Sequence, residues 1–156
     1  SKIGSVPELK PIDLREVIAR SIEYHDVRSS KKVIFSIKDH TLGNRLVKMN
    51  EALFNWVMEN LIRNAIDAMS GKGDITLSIV EENEIIHLDI KDTGKGLTPQ
   101  HRKRVFNPGV TSKKRGWGLG LTLSKRIIEE YHSGKIIVKS SKVNEGTTFR
   151  ITLQRA

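Results

Sequence analysis

In the stretch "ENLIRNAIDAM", residues 59–69, Asn60, Asn64 and Asp67 recur at helical spacing. Each helical residue turns about 100°, so the three side chains fall within a stripe roughly 60° wide. Solvated helix faces usually carry Lys, Glu and Gln, whereas asparagine competes with the backbone for hydrogen bonds and is a mediocre helix former. A line of short amides suits a site where oxygen and nitrogen atoms must be held close to a helix axis. Magnesium with phosphate oxygens fits, because Mg²⁺ takes few protein ligands and leaves the rest to water and phosphate. Taken alone, a polar stripe reads first as a solvated face.

A second group sits at the end of an apolar row. In "IIHLDIKDTGKG", Ile86, Leu88, Ile90 and Asp92 share one strand face by period-two alternation, which carries Asp92 inward at the strand's tip. A buried carboxylate is costly without a partner. That partner is either its own turn, capped by the aspartate, or the exocyclic amine of an adenine. Gly94 and Gly96 follow, and their lack of side chains lets the backbone approach a flat ring. A third group is "KKRGWGLGLTLSKRIIEEYH", where Gly116, Gly118 and Gly120 precede and open a helix whose bare N–H groups favour anionic oxygens. The glycines match neither the Rossmann fingerprint nor the P-loop, and no strand leads directly into them. The basic loop before them, with Lys113, Lys114 and Arg115, reads as a lid over phosphates.

These groups need elements to position them. Residues 12–25 read as a helix, with Asp13 as cap, Glu16 completing a capping box and Ile12 stapled onto Val17. Residues 31–39 read as a strand, followed by a short extended piece near 42–48. The asparagine helix spans about 50–69 and buries Phe54, Val57, Leu61, Ala65 and Ala68, and glycine stops it. Strands at 75–82 and 84–92 join at a tight turn around Glu82 and Asn83. A helix runs from about 118 to 131, and "KIIVKSS" and "GTTFRITLQ" close the chain as a hairpin. The order predicts an α/β (α+β) sandwich, a mixed and mostly antiparallel sheet of about five strands with three main helices on one face. Residues 1–11, with two prolines, read as an arm and residues 12–156 as one domain.

Composition sets the outer bounds. With no cysteine, disulfides and thiolate metal sites are excluded. No apolar run approaches the roughly 18–20 residues of a membrane span, and no signal peptide is visible, pointing to a soluble, intracellular piece. Twenty-seven Lys and Arg against 18 Asp and Glu give +9, which favours a polyanionic partner. Aromatic residues make up only 5%, which weakens a base-stacking nucleic-acid surface.

Each signal alone is modest, but their order along one chain resembles the GHKL superfamily of ATP-binding domains: gyrase, heat-shock chaperone, histidine kinase and mismatch-repair ATPase. Within it the likeness is to the catalytic domain of bacterial sensor histidine kinases. "ENLIRNAIDAM" looks like the N box, "DTGKG" the first glycine box, "VFNPG" the F box, "GWGLGL" the second glycine box and "GTTF" the closing threonine motif. The resemblance covers residues 12–154. It implies that Asn64 ligates Mg²⁺, that Asn60 supports the phosphates of ATP, and that Asp92 binds the adenine amine with Gly94 and Gly96 lining the base. Phe106 would anchor the lid, and Gly116, Gly118, Leu119, Gly120 and Leu121 would wrap the triphosphate. Thr147, rather than Thr148, would hold the base through water, and Lys113 would reach the terminal phosphate. Many sensor kinases carry Lys and an aromatic residue where this chain has Asp67 and Ala68, which leaves Asp67 as the ATP-site residue with the weakest claim. Trp117 replaces a residue that is often small.

The resemblance also implies a task. Hydrolysing branches of the superfamily place a glutamate general base one helical turn before the metal asparagine, where this chain has Asn60. An amide cannot take the proton, and general-base help is worth roughly 10²–10⁴ in rate. Glu59 lies about 100° around the helix. The expectation is therefore γ-phosphoryl transfer to a histidine, with feeble hydrolysis; the alternative is a GHKL ATPase that drives conformational gating. His25, in "YHDVR", lacks the Pro, Thr or Asn of an acceptor motif, so the acceptor is expected on an upstream dimerisation hairpin, with "SKIGS" resembling its end. Expected partners are that dimerisation domain and a response-regulator receiver domain, with no nucleic acid and no membrane contact by this domain. The expected location is cytoplasmic, any membrane anchor lying elsewhere in the full protein.

Overall fold

The computed structural model describes residues 7–109 and 120–156. In chain order it contains β1 (Lys10–Asp13), α1 (Leu14–Arg28), β2 (Val33–Asp39), β3 (Leu46–Met49), α2 (Glu51–Ala68), β4 (Gly73–Glu82), β5 (Ile85–Asp92), α3 (Pro99–Arg104), α4 (Gly120–Arg126), β6 (Lys135–Lys142) and β7 (Gly146–Gln154). A π-helical segment, Ile127–Tyr131, continues α4. The main sheet has the order β2-β4-β5-β7-β6; β2 pairs parallel to β4 and every other pairing is antiparallel. This is the mixed, mostly antiparallel five-stranded sandwich that the sequence predicts.

Alternation builds the core. On β4 and β5, Ile75, Leu77, Ile79, Ile86, Leu88 and Ile90 are buried on the helix side, and β7 adds Phe149, Ile151 and Leu153. Against them α2 buries Phe54, Val57, Met58, Leu61, Ile62 and Ala65, and α1 buries Leu14, Val17 and Ile18. Ala68, expected inside, is only half-buried, because it lies at the last helical position, where the chain turns away. The opposite sheet face is polar: Arg150 grips Asp89 through Nε and Nη2 at 2.7 and 2.9 Å, and Lys139 Nζ adds a bond at 3.1 Å.

Asp13 caps α1 as expected, accepting from the Arg15 and Glu16 amides. It also ends β1, which pairs antiparallel with β3, so the folded unit begins within the expected arm, at Lys10. Asn50 caps α2 by accepting from the Leu53 N–H. Its amide nitrogen donates to the Glu8 carbonyl at 3.1 Å, and its own backbone N–H donates to His132 Nε2 at 3.1 Å. Nδ1 of His132 donates to the Ile127 carbonyl, so this buried ring is a donor on one side and an acceptor on the other. The β4–β5 turn falls at Asn83 and Glu84, one residue later than expected, with Asn83 at φ 54°. α3 occupies a stretch that the sequence reading leaves without an element; Thr98 caps it through the His101 N–H and Pro99 occupies its first turn.

Candidate functional site

β5 runs between β4 and β7 and delivers Asp92 at its tip. The side chain is 4% exposed. Oδ1 accepts from the Gly94 N–H at 2.8 Å and from the Thr147 N–H at 3.3 Å. Oδ2 accepts no hydrogen bond from the described residues, yet it is not sealed from solvent. Burial pushes the Asp92 carboxyl above the usual carboxylate range, and the two amide donors offset only part of that. One oxygen is thus pinned by backbone, as the turn cap read from the sequence requires, and the other takes neither of those bonds.

Thr147 lies beside this carboxyl, buried, with Oγ1 2.8 Å from Ser141 Oγ. Ser141 also accepts from the Leu97 N–H at 2.8 Å, which ties the loop after Gly96 to the β6–β7 hairpin. Sequence reasoning missed Ser141. Its only signal is its cross-strand register with Thr147. Gly94 and Gly96 are needed for a reason beyond ligand approach. A Cβ on Gly94 would sit 2.6 Å from the Ala68 carbonyl oxygen, at the end of α2. Gly96 has φ +72° and a Cβ there would collide with the Lys142 carbonyl. Both glycines lock the loop onto α2 and the last hairpin, which fixes the floor under Asp92.

Asn60 and Asn64 lie half-buried along α2, and Asp67 is exposed. Asn60 reaches α4: its Nδ2 donates to Ser124 Oγ at 3.0 Å. Gly120 opens α4 directly against the Asn60 amide, with Leu121 half-buried next to it. Phe106 packs edge-on against Phe149 at 6.2 Å between centroids, and Lys125 Nζ stands 5.3 Å from its ring. Thr122 Oγ1 donates to the Phe106 carbonyl at 2.8 Å, which fastens this segment to α4. Lys113, Gly116, Gly118 and Leu119, with Trp117, lie outside the described residues.

The described residues hold no group of three or more His, Cys, Asp or Glu side chains suited to a metal. A cation here would draw on amide oxygens such as that of Asn64 and otherwise on water and phosphate, which is the coordination Mg²⁺ accepts. His25 is buried, and burial lowers its pKa. Among the described residues no helix is long and apolar enough to cross a membrane.

Residues 49–156 match the family model described as histidine kinase-, DNA gyrase B-, and HSP90-like ATPase. The chain is 41% identical over 99 residues to sporulation kinase E of Bacillus subtilis (strain 168), a stretch that is 62% of this chain and 13% of that protein. The chain spans 13% of the length of sporulation kinase E and 31% of the sensor histidine kinase ZraS of Salmonella typhi, to which it is 31% identical over 93% of its own length. Its fold superposes on the catalytic domain of histidine kinase ThkA with a TM-score of 0.84 at 24% identity, covering 95% of this chain and 96% of that one. It also superposes on ThkA in complex with the response regulator protein TrrA, with a TM-score of 0.80 at 21% identity, covering 95% of this chain and 42% of that one.

Proposed function

Because the chain belongs to the histidine kinase-, DNA gyrase B-, and HSP90-like ATPase family of the GHKL superfamily, as a catalytic domain of the sensor histidine kinase type, we propose that it binds magnesium-ATP and donates the γ-phosphate to a histidine on a separate dimerisation domain. The observation that carries this reading is the Asp92 carboxyl, with Oδ1 secured by the Gly94 and Thr147 amides and Oδ2 left for a donor. An adenine amine is such a donor, and the glycine loop and Thr147 flank it.

Asn60, Asn64 and Gly120 then face the phosphate end, 64 residues apart in the chain at Asn60 and Ser124 but joined by a hydrogen bond. Asn64 supplies the protein oxygen for Mg²⁺, which when bound neutralises charge on the transferring phosphoryl group. Gly116, Gly118, Leu119 and Leu121 complete the cradle, and Lys113 acts on the terminal phosphate; Asp67, being exposed, has the weakest claim. Asn60 stands where a hydrolytic branch has its base, and an amide accepts no proton. Transfer is mostly positioning and electrostatics, so the acceptor histidine provides its own nucleophile. The pairing of ThkA with TrrA supports a response-regulator receiver domain as the eventual recipient. Since the reaction draws on cellular ATP, we read the domain as cytoplasmic, whatever anchor the full protein carries.

Unfolding with and without magnesium-ATP tests the reading. Ligand at 100 times its Kd adds about 2.7 kcal/mol. Absence of any shift at millimolar nucleotide refutes it. Hydrolysis by this chain alone at about 1 s⁻¹ or more would move the reading to a gating ATPase.

A further inference from the structure

Ser124 is completely buried on α4, one turn after Gly120. Its hydroxyl donates to the Gly120 carbonyl at 2.8 Å. A hydroxyl has one proton, so what Oγ offers elsewhere is a lone pair, and Asn60 Nδ2 donates into it at 3.0 Å. The two bonds together fix the sense of the Asn60 amide. One N–H of the amide is committed to Ser124, and Oδ1 lies against Gly120, where any Cβ would collide with it.

We propose that Ser124 is a positioning residue for the phosphate end of the site, holding Asn60 so that it meets the ligand as an acceptor. This rests on the magnesium-ATP reading above. An amide oxygen repels phosphate oxygens and attracts cations and O–H donors. Through Oδ1, Asn60 would therefore engage a magnesium-bound water, with Ser124 taking up one of its two N–H groups. A serine that bonds back to the fourth carbonyl before it weakens its own helix slightly, and alanine would be the better helix former here. The bond to Asn60 across the α2–α4 contact is what the serine adds.

The test uses this chain with ATP, in magnesium and in EDTA, and side-chain amide NMR of Asn60. In the free protein, the Asn60 amide protons show contacts to Ser124 that vanish in Ser124→Ala. Ser124→Ala and Ser124→Cys, which keeps the volume but offers a weak acceptor, lower the magnesium-dependent gain in ATP affinity about five- to tenfold. Both leave metal-free affinity within about twofold, Ser124→Thr retains the gain, and in an Asn60→Ala background Ser124→Ala costs nothing more. Equal loss with and without magnesium, no loss at all, or a full further loss in the Asn60→Ala background overturns the proposal while leaving nucleotide binding intact. A wild-type chain that binds no magnesium-ATP overturns the functional reading and this inference together.

Discussion

Replacing Asp92 by asparagine separates the structural from the ligand role of this side chain. In the free domain the carbonyl oxygen of the introduced amide takes the place of Oδ1 and still accepts from the Gly94 and Thr147 amides. The buried charge is gone, and burial was the dominant influence on this carboxyl, so free stability is unchanged or higher. At the Oδ2 position, however, an NH₂ now faces the adenine amine. The complex loses a hydrogen bond to a charged acceptor, about 1.5–3 kcal/mol, and leaves a donor facing a donor at a cost of about 1–3 kcal/mol more. Even toward the low end of that sum, about 3 kcal/mol, the Kd rises about 150-fold. Nucleotide at 100 times the wild-type Kd adds about 2.7 kcal/mol, which for a domain of this size is a melting-temperature rise of about 8 °C. In the variant the same concentration falls below its Kd and adds about 0.3 kcal/mol, roughly 1 °C. Thermal unfolding of both proteins with and without magnesium-ATP reads this directly. An undiminished rise in Asp92→Asn, with free stability intact, would remove Asp92 from the base site; a collapse of free stability would show that its charge holds the turn.

Asn64→Ala is expected to erase most of the magnesium-dependent gain in ATP affinity and spare ADP binding in EDTA, measured by calorimetry in both buffers; unchanged magnesium dependence would exclude the metal role. Gly96→Ala forces a left-handed alanine and a collision with the Lys142 carbonyl, costing about 3 kcal/mol, or about 9 °C in melting temperature. For Asp89, burial pulls the carboxyl up, but the bonds and charges of Arg150 and Lys139 outweigh it and hold the pKa below its ordinary value. A depressed folded-state pKa stabilises above the unfolded carboxyl's value of about 3.9 and loses that contribution as pH falls through the folded value. Urea midpoints measured downward from pH 5 should therefore fall less steeply in Asp89→Asn than in the parent; parallel slopes would refute the assignment. Asp92 has the opposite sign, since its pKa is raised and its ionised form is favoured by an amine donor, so nucleotide binding should release protons as pH falls toward the raised value, seen as a dependence of the binding heat on buffer.

Long periodic segments were legible because one residue pattern dictated them. The α2 stripe, the inward row ending at Asp92 and the closing hairpin all stand where alternation or helical spacing puts them. β1 was hidden because its four residues include Pro11 and its partner among the described residues, β3, is equally short. α3 was hidden behind a run of basic residues, although Thr98 followed by Pro99 is a legible helix start. At the site, the inward Asp92 could be read, but the division of labour between its two oxygens depends on Thr147, 55 residues away. Ser124 and Ser141 left no trace in the motifs because their roles arise from packing across elements.

The three-way contact at Asn50 has a mechanical corollary. One residue joins the chain ahead of β1, by its side-chain bond to Glu8, to the first turn of the helix bearing both amides and, through its backbone N–H on His132, to the far end of the helix that opens at Gly120. A tug on the chain ahead of β1 is thus delivered to the start of α2 and, through the His132 ring, to the end of the π-helical segment that continues α4.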